Sequence, residues 1–185
     1  MHSEEQKSEH KVVILRRQLL YLGGLTMAAS ALAEPMPGVS AEQKFAGDLA
    51  ILNVALGLEH QAIAAYDAGA GSKLLTPDQL KLAVSFQNDH KRHRNVLVKF
   101  IRRFGGKPVD PESKYDFGTI TSATDIVKLA HKLEEGAAKA YLTHAYKLQS
   151  IEILDAAVPI LVDEVRHTTV FRQLLGLSVT ERLTV

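Results

Sequence analysis

The stretch Val162-Asp163-Glu164-Val165-Arg166-His167 places a Glu-x-x-His pair near the end of an apolar segment with helical spacing. Residues three apart lie on the same face of a helix, about one turn apart. Glu164 and His167 therefore share a face with a set of apolar residues: Leu154, Ala157, Ile160, Phe171 and Leu174. Because burying an unpaired carboxylate is costly, the pair, if buried, requires either a Glu–His hydrogen bond or a metal ion as partner. The alternative is a Glu–His pair at the surface.

Outward from this stretch, apolar residues recur at spacings of three and four, which predicts helices rather than strands. We expect four of them, at residues 41–68, 77–104, 122–148 and 151–175. Gly105-Gly106 and Gly176 mark helix ends, and Thr76-Pro77 marks a start. Pro159 falls inside the last span, which predicts a kink or a later helix start there.

The two halves of the chain resemble each other. Glu59 is followed seven residues later by Tyr66, and Glu134 is followed seven residues later by Tyr141. Asp89-His90-x-x-His93 aligns in the same way with Asp163-Glu164-x-x-His167. A two-fold repeat of helical hairpins, joined by a long connection before Ser122, predicts an all-α four-helix bundle.

Each predicted helix carries a carboxylate or an imidazole on its apolar face. The full set is Glu59, His90, His93, Glu134, Glu164 and His167. Carboxylate and imidazole ligands without thiolate suit iron, manganese or zinc. Dimetal bundles use one Glu from each of two helices and Glu-x-x-His from the other two, and only His90 departs from that scheme.

Composition excludes several other classes of protein. The chain has 185 residues, of which 46% are hydrophobic and 23% charged, as in an ordinary globular domain. It has no cysteine, which excludes disulfides and zinc–thiolate sites. The formal net charge is +1 with interspersed signs, so we expect no nucleic-acid partner. No Gly-rich phosphate-binding loop is present.

The first 33 residues have the layout of a secretory signal. Arg16-Arg17 precedes a short apolar run at residues 19–29, and Ala31-Leu32-Ala33 offers a cleavage site. The arginine pair resembles a twin-arginine signal, although Leu15 stands where that motif usually has a small polar residue. We therefore expect export to the periplasm or cell envelope, with no stable membrane span once the signal is removed. The alternative is an uncleaved signal that anchors the chain.

The chain resembles the ferritin-like superfamily, and most closely its exported bacterial ferritin-like domain proteins. The resemblance covers about residues 47–176. It rests on six stretches of sequence: Leu58-Glu59-His60-Gln61 with Tyr66, His90-Lys91-Arg92-His93-Arg94, Phe104-Gly105-Gly106-Lys107-Pro108, Tyr115-Asp116-Phe117, Leu133-Glu134-Glu135-Gly136 and Glu164-Val165-Arg166-His167. It implies a ferritin-like bundle at residues 41–176, with its long crossover between the second and third helices and a tail at residues 177–185.

The resemblance also implies a dimetal site of iron or manganese near the bundle centre. Members of the superfamily include ferroxidases, manganese catalases and peroxide reductases. Glu59 and Glu134 would then be terminal carboxylates, His93 and His167 terminal nitrogen ligands, and Glu164 a bridge. Tyr66 and Tyr141 would hydrogen-bond to the ligands or simply belong to the core.

His90 stands where the dimetal pattern has a second bridging Glu. Three carboxylates then face two divalent ions, unless Asp89 turns inward as a substitute. A single ion held by Glu59, His93, Glu164 and His167 is the second arrangement. In the third, the polar residues satisfy one another and no metal is needed.

Two functions follow from these arrangements. The first is an exported metal-binding protein that acts in iron oxidation or peroxide handling, with metal ions and peroxide or dioxygen as partners. The alternative is a non-enzymatic bundle that serves envelope stress or partner binding. Nothing in the sequence indicates cage assembly, and we expect a monomer or a homodimer.

Overall fold

The structure, a computed structural model, describes residues 44–184. These residues form four α-helices and no strand, as the sequence predicts: α1 (Ala46–Gly71), α2 (Pro77–Arg103), α3 (Ala123–Ala145) and α4 (Ile151–Leu174). α1 packs against α2, and α3 against α4, as two hairpins. The hairpins meet where α1 faces α3 and α2 faces α4. The predicted signal at residues 1–33 lies outside the described residues.

The helix starts are set by polar side chains that accept otherwise unpaired backbone N–H groups. Thr76 accepts a hydrogen bond from the Gln79 amide, and the Gln79 side chain accepts one from the Thr76 amide, which forms a capping box before Pro77. Ser122 caps α3 by accepting from the Asp125 amide, as its position in the sequence indicates. Ser150 plays the same part for α4.

Pro159 does not delay the start of α4, which begins at Ile151 and continues through the proline. The proline has no N–H to donate to the carbonyl of Asp155, four residues earlier. Both residues are on the exposed side of the helix. Water can therefore satisfy the Asp155 carbonyl, which explains why the helix tolerates the proline.

The crossover at residues 104–122 runs along the outer side of α1. Asn53 anchors it, donating to the Lys107 carbonyl at 3.1 Å and accepting from the Val109 amide at 2.9 Å. Gly106 is needed where the crossover leaves α2, because a Cβ atom there would lie 2.8 Å from a methyl carbon of Leu49. The crossover is therefore held against α1 before the chain enters α3.

The core consists of two apolar layers. The first contains Leu49, Leu52, Leu56, Leu97, Ile101, Phe104, Tyr141, Ile153 and Ile160. The second contains Tyr66, Ala83, Phe86, Val127, Ala130 and Phe171. On every helix, the predicted polar residues lie in sequence between the parts that build the two layers. The bundle thus carries a polar layer between two apolar ones.

α1 is long and apolar enough to cross a membrane by length and composition alone. The same properties suit the central helix of a bundle. Leu52, Leu56 and Tyr66 on this helix are buried against the other helices.

Candidate metal centre

All six predicted polar residues lie together in the polar layer. Every one of them is at most 5% exposed: Glu59, His90, His93, Glu134, Glu164 and His167. α1 and α3 each supply one glutamate, and α2 and α4 each supply a pair of residues three apart. Phe86 stacks on the His167 ring at 3.9 Å between ring centroids, which closes the layer on one side.

Each glutamate of α1 and α3 is held by a tyrosine of the other helix. The Tyr141 hydroxyl donates to Glu59 Oε1 at 2.7 Å. The Tyr66 hydroxyl donates to Glu134 Oε1. These contacts fix one oxygen of each carboxylate, so the two tyrosines position the glutamates as well as fill the core.

His90 lies between the two glutamates and contacts both. Its Nδ1 is 2.8 Å from Glu59 Oε2, and its Nε2 is 3.1 Å from Glu134 Oε1. A carboxylate oxygen only accepts hydrogen bonds, so both ring nitrogens must donate. In this arrangement His90 is an imidazolium ion.

Glu164 is a fully buried acid that makes no hydrogen bond to the described residues. Neither of its oxygens has a hydrogen-bond partner among the described residues, and neither has His93 Nδ1. His93 Nδ1 and Glu164 Oε1 are 3.1 Å apart, but their alignment does not make a hydrogen bond. Buried polar atoms without partners are rare, and a cation at this point would pair all three.

The ligand atoms form two groups that could each hold a metal ion, with the atoms of each group within 4.8 Å of one another. The first group is Glu59, His90, His93 and Glu164; the second is His90, Glu134, Glu164 and His167. Glu164 and His90 belong to both groups. The donor set of carboxylate oxygens and imidazole nitrogens fits iron or manganese. The Glu164 oxygens, which have no hydrogen-bond partner among the described residues, fit a cation beside Glu164, here called the shared point of the two groups.

Two aspartates hold the outer nitrogens of the histidines. His93 Nε2 is 3.2 Å from Asp163 Oδ2, and His167 Nε2 is 3.1 Å from Asp89 Oδ2. Each aspartate directly precedes the ligand pair of the opposite helix. Such hydrogen bonds fix the orientation of a ligating imidazole and increase its basicity.

The position of Asp89 differs from the inward one considered as a substitute for His90. Asp89 belongs to neither ligand group, and its carboxylate contacts His167 Nε2, Arg92 and Arg166. This role was not predicted from the sequence, although the likeness of Asp89-His90 to Asp163-Glu164 could have indicated it, because both aspartates lie one residue outside the apolar face. Arg166, which lies 3.1 Å from Asp163 and 3.4 Å from Asp89, had no such signal.

Burial and the neighbouring charges shift the pKa values of the cluster. Burial opposes a charge on His90, but the hydrogen bonds to Glu134 and Glu59 outweigh it and raise the pKa of His90 from 6.5 to about 10. Burial would raise the pKa of Glu59 and of Glu134, yet the histidines around them lower both values.

Glu164 shows the opposite shift. Its pKa is raised well above the usual 4.5, first by burial and then by the charges of Glu59 and Glu134. Burial and the two neighbouring carboxylates therefore disfavour the ionised form of Glu164. A metal ion at the shared point would supply the positive charge that lets this group ionise.

The fold and the polar layer together define a class: a four-helix bundle of ferritin-like architecture that could bind metal in its core. Residues 47–177 match the sequence profile described as the ferritin-like domain. The chain belongs to the ferritin-like domain family. A comparison with curated proteins gives no match.

A solved structure shares the fold. It is the crystal structure of a conserved hypothetical protein, Rv2844, from Mycobacterium tuberculosis. The two are 22% identical, the match covers 70% of this chain and 97% of that one, and the TM-score is 0.65. At this identity the likeness extends to the fold alone.

Proposed function

We propose that the protein is an exported metal-binding protein whose core holds two iron or manganese ions and acts in iron oxidation or peroxide handling. One observation carries the proposal: the oxygens of Glu164 are buried, unpaired and common to both ligand groups. A bridging carboxylate has this position in a dimetal bundle.

Each ligand would have a definite part. Glu59 and His93 would hold one ion, Glu134 and His167 the other, and Glu164 would bridge them. Bound iron or manganese supplies one-electron redox chemistry. The protein supplies orientation through Tyr66, Tyr141 and the two aspartates, and its apolar layers keep bulk water away.

Metal analysis tests this function. The protein, purified from the exported fraction and supplied with Fe(II) or Mn(II), should bind two ions, and Glu164→Gln should lose most of them. Glu135→Gln is the matched control, because Glu135 neighbours Glu134 but is part-exposed and paired with Lys139. Equal metal content in wild type and Glu164→Gln, or none in either, contradicts the proposal.

A second candidate is a non-enzymatic bundle for envelope stress or partner binding, with the cluster as an internal hydrogen-bond network. His90 favours it, since its imidazolium already bonds to both Glu59 and Glu134 without metal. Thermal unfolding distinguishes the two candidates. At about 100 times Kd, a bound metal should add about 2.7 kcal/mol, whereas the network alone predicts no change in Tm with Fe(II) or Mn(II).

Export is part of the proposal and is supported by the sequence alone. Arg16-Arg17, the apolar run at residues 19–29 and Ala31-Leu32-Ala33 follow one another in the order of a secretory signal. Replacing both arginines by lysine should retain the chain in the cytoplasm, and the exported form should begin at Glu34. An unchanged distribution in the lysine variant would exclude the twin-arginine route.

A further inference from the structure

A groove of about 700 Å³ lies on the face between α1 and α3. The crossover closes one side of it with Asp116, Phe117 and Gly118. Tyr115 stacks against Phe117 with 5.9 Å between ring centroids, which gives this side an aromatic rim. Three chain segments therefore line the groove: α1, the crossover and α3.

A second, much smaller cavity of about 10 Å³ lies directly beneath the groove. Glu59, His90 and Glu134 of the candidate metal centre line the inner cavity. Four residues line both spaces: Leu58, Gln61, Leu133 and Ala137. One layer of side chains thus separates the groove from the metal ligands, and the gap behind it is about the size of one water molecule.

The groove and the inner cavity together form a passage from the surface to the cluster. The side chains that line the inner cavity determine which molecules can cross this passage. Apart from the three metal-cluster residues, five residues line the inner cavity. The amide of Gln61 is polar, and the other four are apolar: Leu58, Ala62, Leu133 and Ala137. A divalent ion would lose its water here without gaining ligands, which is costly. Dioxygen meets no such cost, and hydrogen peroxide, which is neutral, loses hydrogen bonds to water but no ionic hydration.

We propose that the groove between α1 and α3 is the access route by which a small neutral oxidant, hydrogen peroxide or dioxygen, reaches the buried cluster. This inference rests on the proposed redox function. The opposite face of the cluster carries Asp89, Asp163 and Arg166, so the two faces differ in the molecules they admit.

The first test needs no metal. Dissolved dioxygen is paramagnetic and speeds the relaxation of methyl groups that it approaches. In metal-free protein under dioxygen pressure, the Ala62 and Ala137 methyls should relax faster than that of Ala138. All three alanines are buried, but Ala138 does not line the passage. Equal effects on the three methyls would overturn the proposal.

The second test uses protein loaded with Fe(II) or Mn(II) and follows its oxidation after rapid mixing with peroxide or with dioxygen. Ala137→Leu should slow the reaction about tenfold or more, because one extra side chain fills a gap of this size. Leu133→Ala should speed it. Ala140→Leu is the control, since Ala140 lines the outer groove but not the inner cavity.

The outcomes separate this inference from the proposed function. Metal content that is equal in all variants, with oxidation rates that do not differ, would overturn the access route and leave metal binding intact. A protein that binds no metal would contradict the proposed function, while the methyl relaxation would still decide the route. The comparison of peroxide with dioxygen shows which oxidant uses it.

Discussion

At residue 90 the chain has an imidazole where the other half of its repeat has Glu164. The two residues occupy corresponding places in the polar layer, and both belong to both ligand groups. They differ in their contacts, because His90 bonds to both Glu59 and Glu134, while neither oxygen of Glu164 has a hydrogen-bond partner among the described residues. The balance between a self-paired network and a metal site therefore depends on this one position.

His90→Glu should lower the stability of the metal-free protein and raise its affinity for metal. In metal-free protein the variant removes the cation between Glu59 and Glu134, and breaking such a buried pair costs about 3–5 kcal/mol. With Mn(II) or Fe(II) the new carboxylate completes the dimetal pattern, so affinity should rise. Chemical denaturation with and without metal checks both signs. A variant that is as stable as wild type without metal would contradict the imidazolium assignment.

The raised pKa of His90 predicts how the stability of metal-free protein depends on pH. The folded pKa of about 10 exceeds the ordinary 6.5, so protonated His90 stabilises the fold. This contribution is complete below pH 6.5 and is lost as pH rises toward 10. Across that range the wild type should lose more free energy of unfolding than His90→Gln. Parallel pH curves for the two proteins would show that His90 is neutral.

At the scale of the helices, the two-fold repeat of helical hairpins in the sequence predicts most of the fold and of the candidate site. Four apolar faces with polar residues at matched depth predict four helices and bring all six polar residues together. The pattern misses contacts that cross between segments, because helical spacing reports a face and not a partner. Asp48 is such a case: it is buried and accepts the Gln149 and Ser150 amides at 2.9 and 2.8 Å, some hundred residues away.

Asp48→Ala should therefore weaken the start of α4. The change removes two part-buried hydrogen bonds to a charged group, and each such bond contributes about 1.5–3 kcal/mol. A fall in Tm, measured by circular dichroism, should accompany it. Asp155→Ala, at an exposed site on α4, is the control and should change stability by no more than about 0.5 kcal/mol. Similar losses in both variants would indicate a general charge effect.

For the whole molecule, the polar layer is where the two hairpins meet. Glu59 and Tyr141 join α1 to α3, while His93 with Asp163 joins α2 to α4. A metal ion held by Glu59, His93 and Glu164 would link both hairpins at once. Helical spacing alone could not predict the network that holds the ligands, because it is made by side chains from helices distant in sequence.

The central claim, that this layer binds metal through Glu164, is tested most directly by a crystal structure of the metal-supplied protein with anomalous scattering at the iron or manganese edge. The account predicts two anomalous peaks in the polar layer, each bonded to an oxygen of Glu164, one beside Glu59 and His93 and the other beside Glu134 and His167. No peak in the layer, with His90 still between Glu59 and Glu134, would contradict it.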